Sequence, residues 1–301
     1  MDNFISILSI YFFVTLGYIA KAKFKDEIDE RTIVKLNIYF LLPILAFWGL
    51  LTKKIDISII KIPFIYLFIS LLALCMSIYI AKKFFNDPKE RSILSMASVT
   101  GVTGSIGIPL GIALFGEDSV IYTSLINTMS MFFVYTVGTY IYSRGSFGIL
   151  KSFKNVFKMP IIWASLIAIL FNLFDININK TFFKNLQMGA YGAIIMQLLI
   201  FGMFLYKVKI KEINLKLLSL SMIIKFILIP ILSFAILHFL NINAIALKST
   251  ILELLVPLAI TNVSLASIFE CKPQSVTTIV FVSSLIFIPY IIIVVYFLTS
   301  F

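Results

Sequence analysis

The chain has 301 residues, 60% of them hydrophobic and 13% charged, with 25 Lys and Arg against 14 Asp and Glu. Its mean hydropathy of +1.05 lies far from that of soluble domains, where apolar residues make up less than half. The composition excludes a soluble globular domain and describes an all-α integral membrane protein.

A bilayer core of ~30 Å takes ~20 apolar residues per helix. Charged or turn-rich breaks divide the chain into ten such runs, at 4–22, 32–51, 62–82, 92–115, 119–142, 159–174, 185–206, 216–240, 246–268 and 275–299. The longest polar stretches, 21–31 and 143–158, are too short to bury a core of their own. The first run has an acid and no base before its apolar residues, unlike a signal peptide, and reads as a retained helix. The second, LNIYFLLPILAF at 36–47, carries the amide Asn37. Cys75 in the third run and Cys271 in a short loop predict neither a disulfide nor a metal site, and no cofactor is expected.

The fourth run contains TGVTGSIGIPLG (100–111), four glycines and a proline in twelve positions. Proline in a helix interior costs ~3 kcal/mol, and glycine loosens the helix further. A helix broken at mid-depth is therefore expected. Such a break persists in lipid only where protein or an aqueous cavity covers the freed N–H and C=O groups. The ninth run carries a similar feature, VPLAI at 256–260 against IPLGI at 108–112.

Charge placement gives the orientation. The loops 21–31, 82–91, 143–158, 207–216 and 269–274 hold 17 of the 25 Lys and Arg. The alternate loops and termini hold 6, and Lys35 and Lys225 complete the total. By the positive-inside tendency the richer face is cytoplasmic and both termini are extracytoplasmic. The basic excess is thereby explained by topology, and nucleic acid is not an expected partner. Ten spans with both ends outside divide into five and five, residues 1–150 and 151–301, with the second half inverted, the plan of many secondary transporters.

Half-helix N-termini present free N–H groups and partial positive charge, which suits an anion. The candidate substrate-binding residues are Thr103, Gly104, Ser105, Gly107 and Pro109 in the fourth run, and Pro257, Thr261 and Asn262 in the ninth. Asn37 joins them as a buried amide. Close packing is the alternative, since Gly107 and Gly111 also form a small-xxx-small pair. Two ionisable residues fall clearly at membrane depth, where charge is costly and functional by default. Lys225 could neutralise a substrate carboxylate, and Glu253 could carry a coupling proton. Alternatively the two pair with each other, or Lys225 snorkels. His238, at an outer helix end, reads as interfacial, and Gln197 as a cavity or bridging amide.

These residues resemble the auxin efflux carrier family, which includes plant auxin exporters and bacterial permeases for dicarboxylates such as malate and malonate. The resemblance rests on Leu36, Asn37, Pro43 and Phe47 in the second run and on Gly104, Gly107, Pro109, Leu110 and Gly116 in the fourth. It extends to Pro257, Ala259 and Ala266 in the ninth run and to SSLIFIP, ending at Pro289, in the tenth. Val102 stands where many members carry an asparagine, Ser105 replaces a common phenylalanine, and the long loop of the plant exporters is absent. The resemblance implies two inverted five-helix repeats whose fourth and ninth spans cross at the substrate site.

The expected activity is alternating-access transport of a small organic anion, a mono- or dicarboxylate, across the inner membrane, with sodium or proton coupling. The partners are that anion and the bilayer, and a homodimer stays open. A sodium-coupled symporter for bile-acid-type anions is the alternative within transport. A membrane-embedded enzyme or ligand sensor lies outside it, but no paired aspartates or histidine cluster supports one.

Overall fold

The computed structural model describes residues 2–51, 57–147, 149–207, 214–240 and 242–299, and these are almost entirely helical. In chain order the helices are α1 (Asp2–Phe24), α2 (Glu30–Leu51), α3 (Ile57–Phe84), α4 (Pro88–Ala97) and α5 (103–115). Then come α6 (120–144), α7 (Ile149–Phe157), α8 (Pro160–Leu173), α9 (Lys180–Tyr206) and α10 (Leu215–Leu237). The chain ends with α11 (Ala244–Leu255), α12 (Thr261–Ile268) and α13 (Pro273–Thr299).

Among the described residues, Glu30–Leu51, Ile59–Phe84, Lys180–Tyr206 and Leu215–Leu237 are long and apolar enough to cross a membrane, and Pro160–Leu173 and Pro273–Phe287 are shorter apolar helices. Several helices start with a cap at a polar end. Asp29, Asp87, Asn179, Asn214 and Asn243 each accept a backbone N–H from the first turn that follows, satisfying donors that the helix itself leaves open.

Two layers result. In one, α1, α2, α8 and α9 pack together. A Cβ on Gly17 would lie 2.1 Å from the Leu199 carbonyl oxygen, and one on Gly202 would lie 2.0 Å from that of Val14. Only glycine lets these backbones approach so closely. On the far side of α2, Phe47 meets Phe171 edge-on at 5.6 Å and Asn172 Nδ2 donates to the Leu50 carbonyl. The second layer holds α3 to α6 and α10 to α13. Tyr66 OH there donates to Ser130 Oγ at 3.2 Å, and Phe226 contacts Tyr290.

Among the described residues, four helices contain a five-residue π turn, at Asn37–Leu41, Thr103–Gly107, Val134–Gly138 and Ile224–Leu228. Such turns concentrate at functional sites. Each of them holds a buried polar side chain, Asn37, Thr103, Tyr135 or Lys225. The polar connection 143–158 also forms an element absent from the sequence reading. α7 is strongly amphipathic, with Leu150 and Phe157 exposed and Lys151 stacked 3.9 Å from the Phe147 ring centroid. That composition suits a helix lying in a membrane interface.

Candidate functional site

The fourth and ninth runs are both interrupted, at 98–102 between α4 and α5 and at 256–260 between α11 and α12. The first break falls at the start of the expected stretch, 100–111, and not at its proline. Pro109 lies within α5, just after the π turn, and the chain stays helical through it. Thr100, Gly101 and Val102 form the break instead. Only in the second break does the proline, Pro257, lie within the extended segment. The resemblance of IPLGI to VPLAI therefore does not mark structurally equivalent positions, because Gly101 rather than Pro109 faces the second break.

The two breaks cross as a short antiparallel bridge between Gly101 and Leu258. Val102 N donates to the Pro257 carbonyl at 2.9 Å and Ala259 N to the Thr100 carbonyl at 3.0 Å. Asn262 clamps the crossing, with Nδ2 donating to Thr100 Oγ1 at 2.8 Å and to the Ala259 carbonyl at 2.9 Å. Its Oδ1 accepts from Tyr142 OH, and Ser283 Oγ accepts from Leu258 N. Each break supplies the hydrogen bonds that lipid could not. A Cβ on Gly101 would fall 2.7 Å from Val256 Cγ2, so this crossing admits only glycine.

Beside the crossing lies a cavity of about 500 Å³ between the two layers, within the usual range for small-molecule sites. Thr103, Gly104 and Thr261 line it, together with Ser124, Asn127 and Thr128 of α6. Its apolar wall comes from Phe13, Trp48, Met131, Tyr191 and neighbouring aliphatic residues. Gln197 also lines the cavity, next to the Tyr135 hydroxyl. No charged side chain borders it among the described residues. Thr103 Oγ1 donates to Asn127 Oδ1 at 2.8 Å. Both half-helices that begin here, α5 at Thr103 and α12 at Thr261, lack a side-chain cap.

The remaining candidates whose side chains are described lie outside this wall. Pro257 and Asn262 are consumed by the crossing. Gly107 faces Glu253, whose Oε2 would be 2.1 Å from a Cβ at that position. Glu253 is fully buried, and neither of its carboxyl oxygens has a hydrogen-bond partner. Lys225 is buried behind the crossing, where Nζ donates to the Leu254 carbonyl at 2.9 Å. Asn37 is buried in its π turn with its amide atoms unpartnered. The side chains of Ser105 and Pro109 lie outside the described residues.

Ser124, Asn127 and Thr128 of α6 are cavity residues that sequence reasoning missed, and Asn127 is the one that pairs with the break. It stands in an unbroken helical stretch, and only its contact with Gly104 and Thr103 brings it to the site.

The loops on the basic side are tied together. Lys21 and Lys207 both bind Glu30, Arg31 lies 3.6 Å from Glu270, and Ser146 Oγ donates to the Phe269 carbonyl. Lys272 reaches Asp87 at 2.5 Å and Glu90 at 2.8 Å. Partial burial would raise the Asp87 carboxyl, but hydrogen bonds from Lys272 and the Lys89 N–H outweigh it and hold it below the usual carboxylate range. This tie therefore persists on acidification until the pH falls through that lowered value.

No curated protein matches the chain. The family model described as "Membrane transport protein", that of the auxin efflux carriers, matches residues 3–295, and the chain accordingly belongs to this family of membrane transporters.

Proposed function

We propose that this transporter is a secondary carrier for a small organic anion, binding it in the cavity beside the crossing and exposing it alternately to the two sides of the membrane. The observation that carries the anion reading is the convergence of two uncapped half-helix N-termini, at Thr103 and Thr261, on one cavity. Each carries about half a positive charge, and neither start is neutralised by a capping side chain, although Asn262 N and Val263 N of α12 already donate to the Ala259 and Ile260 carbonyls. With no charged side chain in the wall among the described residues, these dipoles and the hydroxyls and amides around them are the counter-charge available. That suits one carboxylate. The aromatic and aliphatic remainder of the wall suits an apolar body on the same molecule, so a monocarboxylate fits better than a dicarboxylate, whose second charge would lack a partner.

The packing supports a ten-span plan of two inverted halves, 1–150 and 151–301. α1 packs on α9 as α8 packs on α2, and α2 meets α6 as α9 meets α13, the reciprocity that a two-fold relation between halves produces. With the basic loops cytoplasmic, in an inner membrane, the cavity lies toward the outer face. Its rim includes Trp48 and Gly49 at the end of α2, while the opposite side is closed by the ion pairs around Glu30 and Lys272.

The test is a thermal-shift screen of purified protein against monocarboxylates with apolar bodies, dicarboxylates and the matching neutral amides, followed by counterflow uptake in proteoliposomes. Specific binding raises the melting temperature by linkage. A shift with monocarboxylates and none with amides is expected. Gly104→Leu, which fills the cavity against Asn127, should remove both the shift and the uptake while leaving membrane insertion intact. Equal shifts with acids and amides would overturn the anion reading.

A further inference from the structure

The connection between α6 and α8 carries a surface that the cavity does not use. Residues 143–158 hold four cations, Arg144, Lys151, Lys154 and Lys158, and no acid. Within this stretch α7 folds back on the end of α6, where Asn155 Nδ2 donates to Ser143 Oγ at 2.9 Å. At about 100° of turn per residue, Leu150 and Phe157 fall on one line of α7, with Lys151 and Lys154 on its flank. All four are exposed, whereas Asn155 and Val156, on the opposite flank, are half-buried. Lys158 follows the helix and is exposed as well. Among the described residues, none of these three lysines pairs with an acid.

Where the apolar edge of α7 leads indicates what covers it. Trp163, exposed in the first turn of α8, donates Nε1 to the Phe157 carbonyl at 2.9 Å. Leu166, Ile167 and Leu170 continue the exposed apolar surface along α8, an apolar helix of a membrane transporter. The edge of α7 therefore runs into a wall that faces hydrocarbon, with a tryptophan at the junction, as at a membrane interface.

We infer that α7 is a docking site for anionic phospholipid headgroups. Leu150 and Phe157 enter the upper acyl region, and Lys151, Lys154 and Lys158 extend their ammonium ends to the phosphates. Four cations without an acid select anionic over zwitterionic lipid, because a lysine near the surface is attracted by a net negative charge and little by a neutral headgroup. Docked lipid also braces α6, to which α7 is tied and which carries Asn127 in the cavity wall. The inference stands whichever substrate the cavity takes and whichever face of the membrane α7 lies on.

The experiment uses Trp163 as the reporter, in a Trp48→Phe chain where it is the only tryptophan. Purified protein in phosphatidylcholine bilayer discs receives brominated phosphatidylglycerol or brominated phosphatidylcholine at equal mole fraction, and quenching of Trp163 gives their relative affinity. Phosphatidylglycerol should be preferred about fivefold or more at low salt, the effect of one lysine near a charged surface, and the preference should shrink at high salt. Combining Lys151→Gln, Lys154→Gln and Lys158→Gln should abolish it. Combining Lys23→Gln, Lys82→Gln and Lys83→Gln, which removes as many exposed charges elsewhere on the basic side, should preserve it.

Equal quenching by the two lipids in the parent chain would overturn the proposal, as would an equal loss of preference in both triple variants. Inorganic phosphate at matched ionic strength should not compete, and displacement by it would mean binding of a free ion in place of lipid. Should the first triple variant not purify, Lys154→Gln and Lys158→Gln are read singly, and a preference unchanged in both overturns the proposal. No substrate enters these measurements, so a negative result here is distinct from a negative anion screen.

Discussion

Thr103 and Asn127 meet at the mouth of a half-helix, and their pairing shows how a weak local signal becomes a site. Thr103 heads α5, and its hydroxyl fixes the Asn127 amide beside Gly104, where any side chain would displace it. Thr103→Val keeps the volume and removes the donor, leaving the half-buried Asn127 amide oxygen without this partner. The expected effect is a loss of about 1 kcal/mol, or roughly fivefold weaker anion binding, measured by titrating the thermal shift. An unchanged affinity would place the anion elsewhere in the cavity. Thr103, Gly104 and Thr261 were legible in the sequence because broken helices advertise themselves through glycine, proline and hydroxyl residues. Asn127 was not, because nothing in a continuous run of helix formers says which face meets a break 24 residues away.

At the scale of elements, the glycines separate into those that permit an approach and those that do not. Gly17 and Gly202 let α1 and α9 touch backbone to backbone, whereas Gly192, on the same α9, has no atom within 4 Å of its missing Cβ. Gly202→Ala should therefore cost about 1–3 kcal/mol, because the clash is with main chain that cannot rotate away. Gly192→Ala should cost nothing measurable. Melting curves of the two variants in detergent test this difference, and equal stabilities would mean that the α1–α9 contact is looser than described. The breaks obey the same geometric logic. Pro109 read as a breaker from composition, yet α5 stays helical through it, while the break falls at Thr100, Gly101 and Val102, where Lys225 and Val256 leave Gly101 no room for a side chain.

At the scale of the whole molecule, the charge asymmetry and the cavity make a joint prediction about sidedness. Asp175 and Lys151 are both exposed, in connections that the positive-inside reading puts on opposite faces, Lys151 within α7. In a chain carrying Cys75→Ser, Asp175→Cys should react with a membrane-impermeant maleimide on intact cells. Lys151→Cys should react only after permeabilisation. The reverse pattern would turn the cavity toward the cytoplasm and make the tied loops around Glu30 and Lys272 the outer closure.

What the sequence determined by itself was set by the solvent. Long apolar runs can satisfy their backbone in lipid only as helices, so the membrane class, the helical content and the presence of two weak points followed from composition and spacing. Tertiary structure alone decided which atoms cross at those weak points, where Lys225 and Glu253 end up, and which helix completes the cavity. Those outcomes depend on contacts between runs far apart in sequence and on clearances of a single Cβ, and hydropathy, which averages over a helix, carries no information at that resolution.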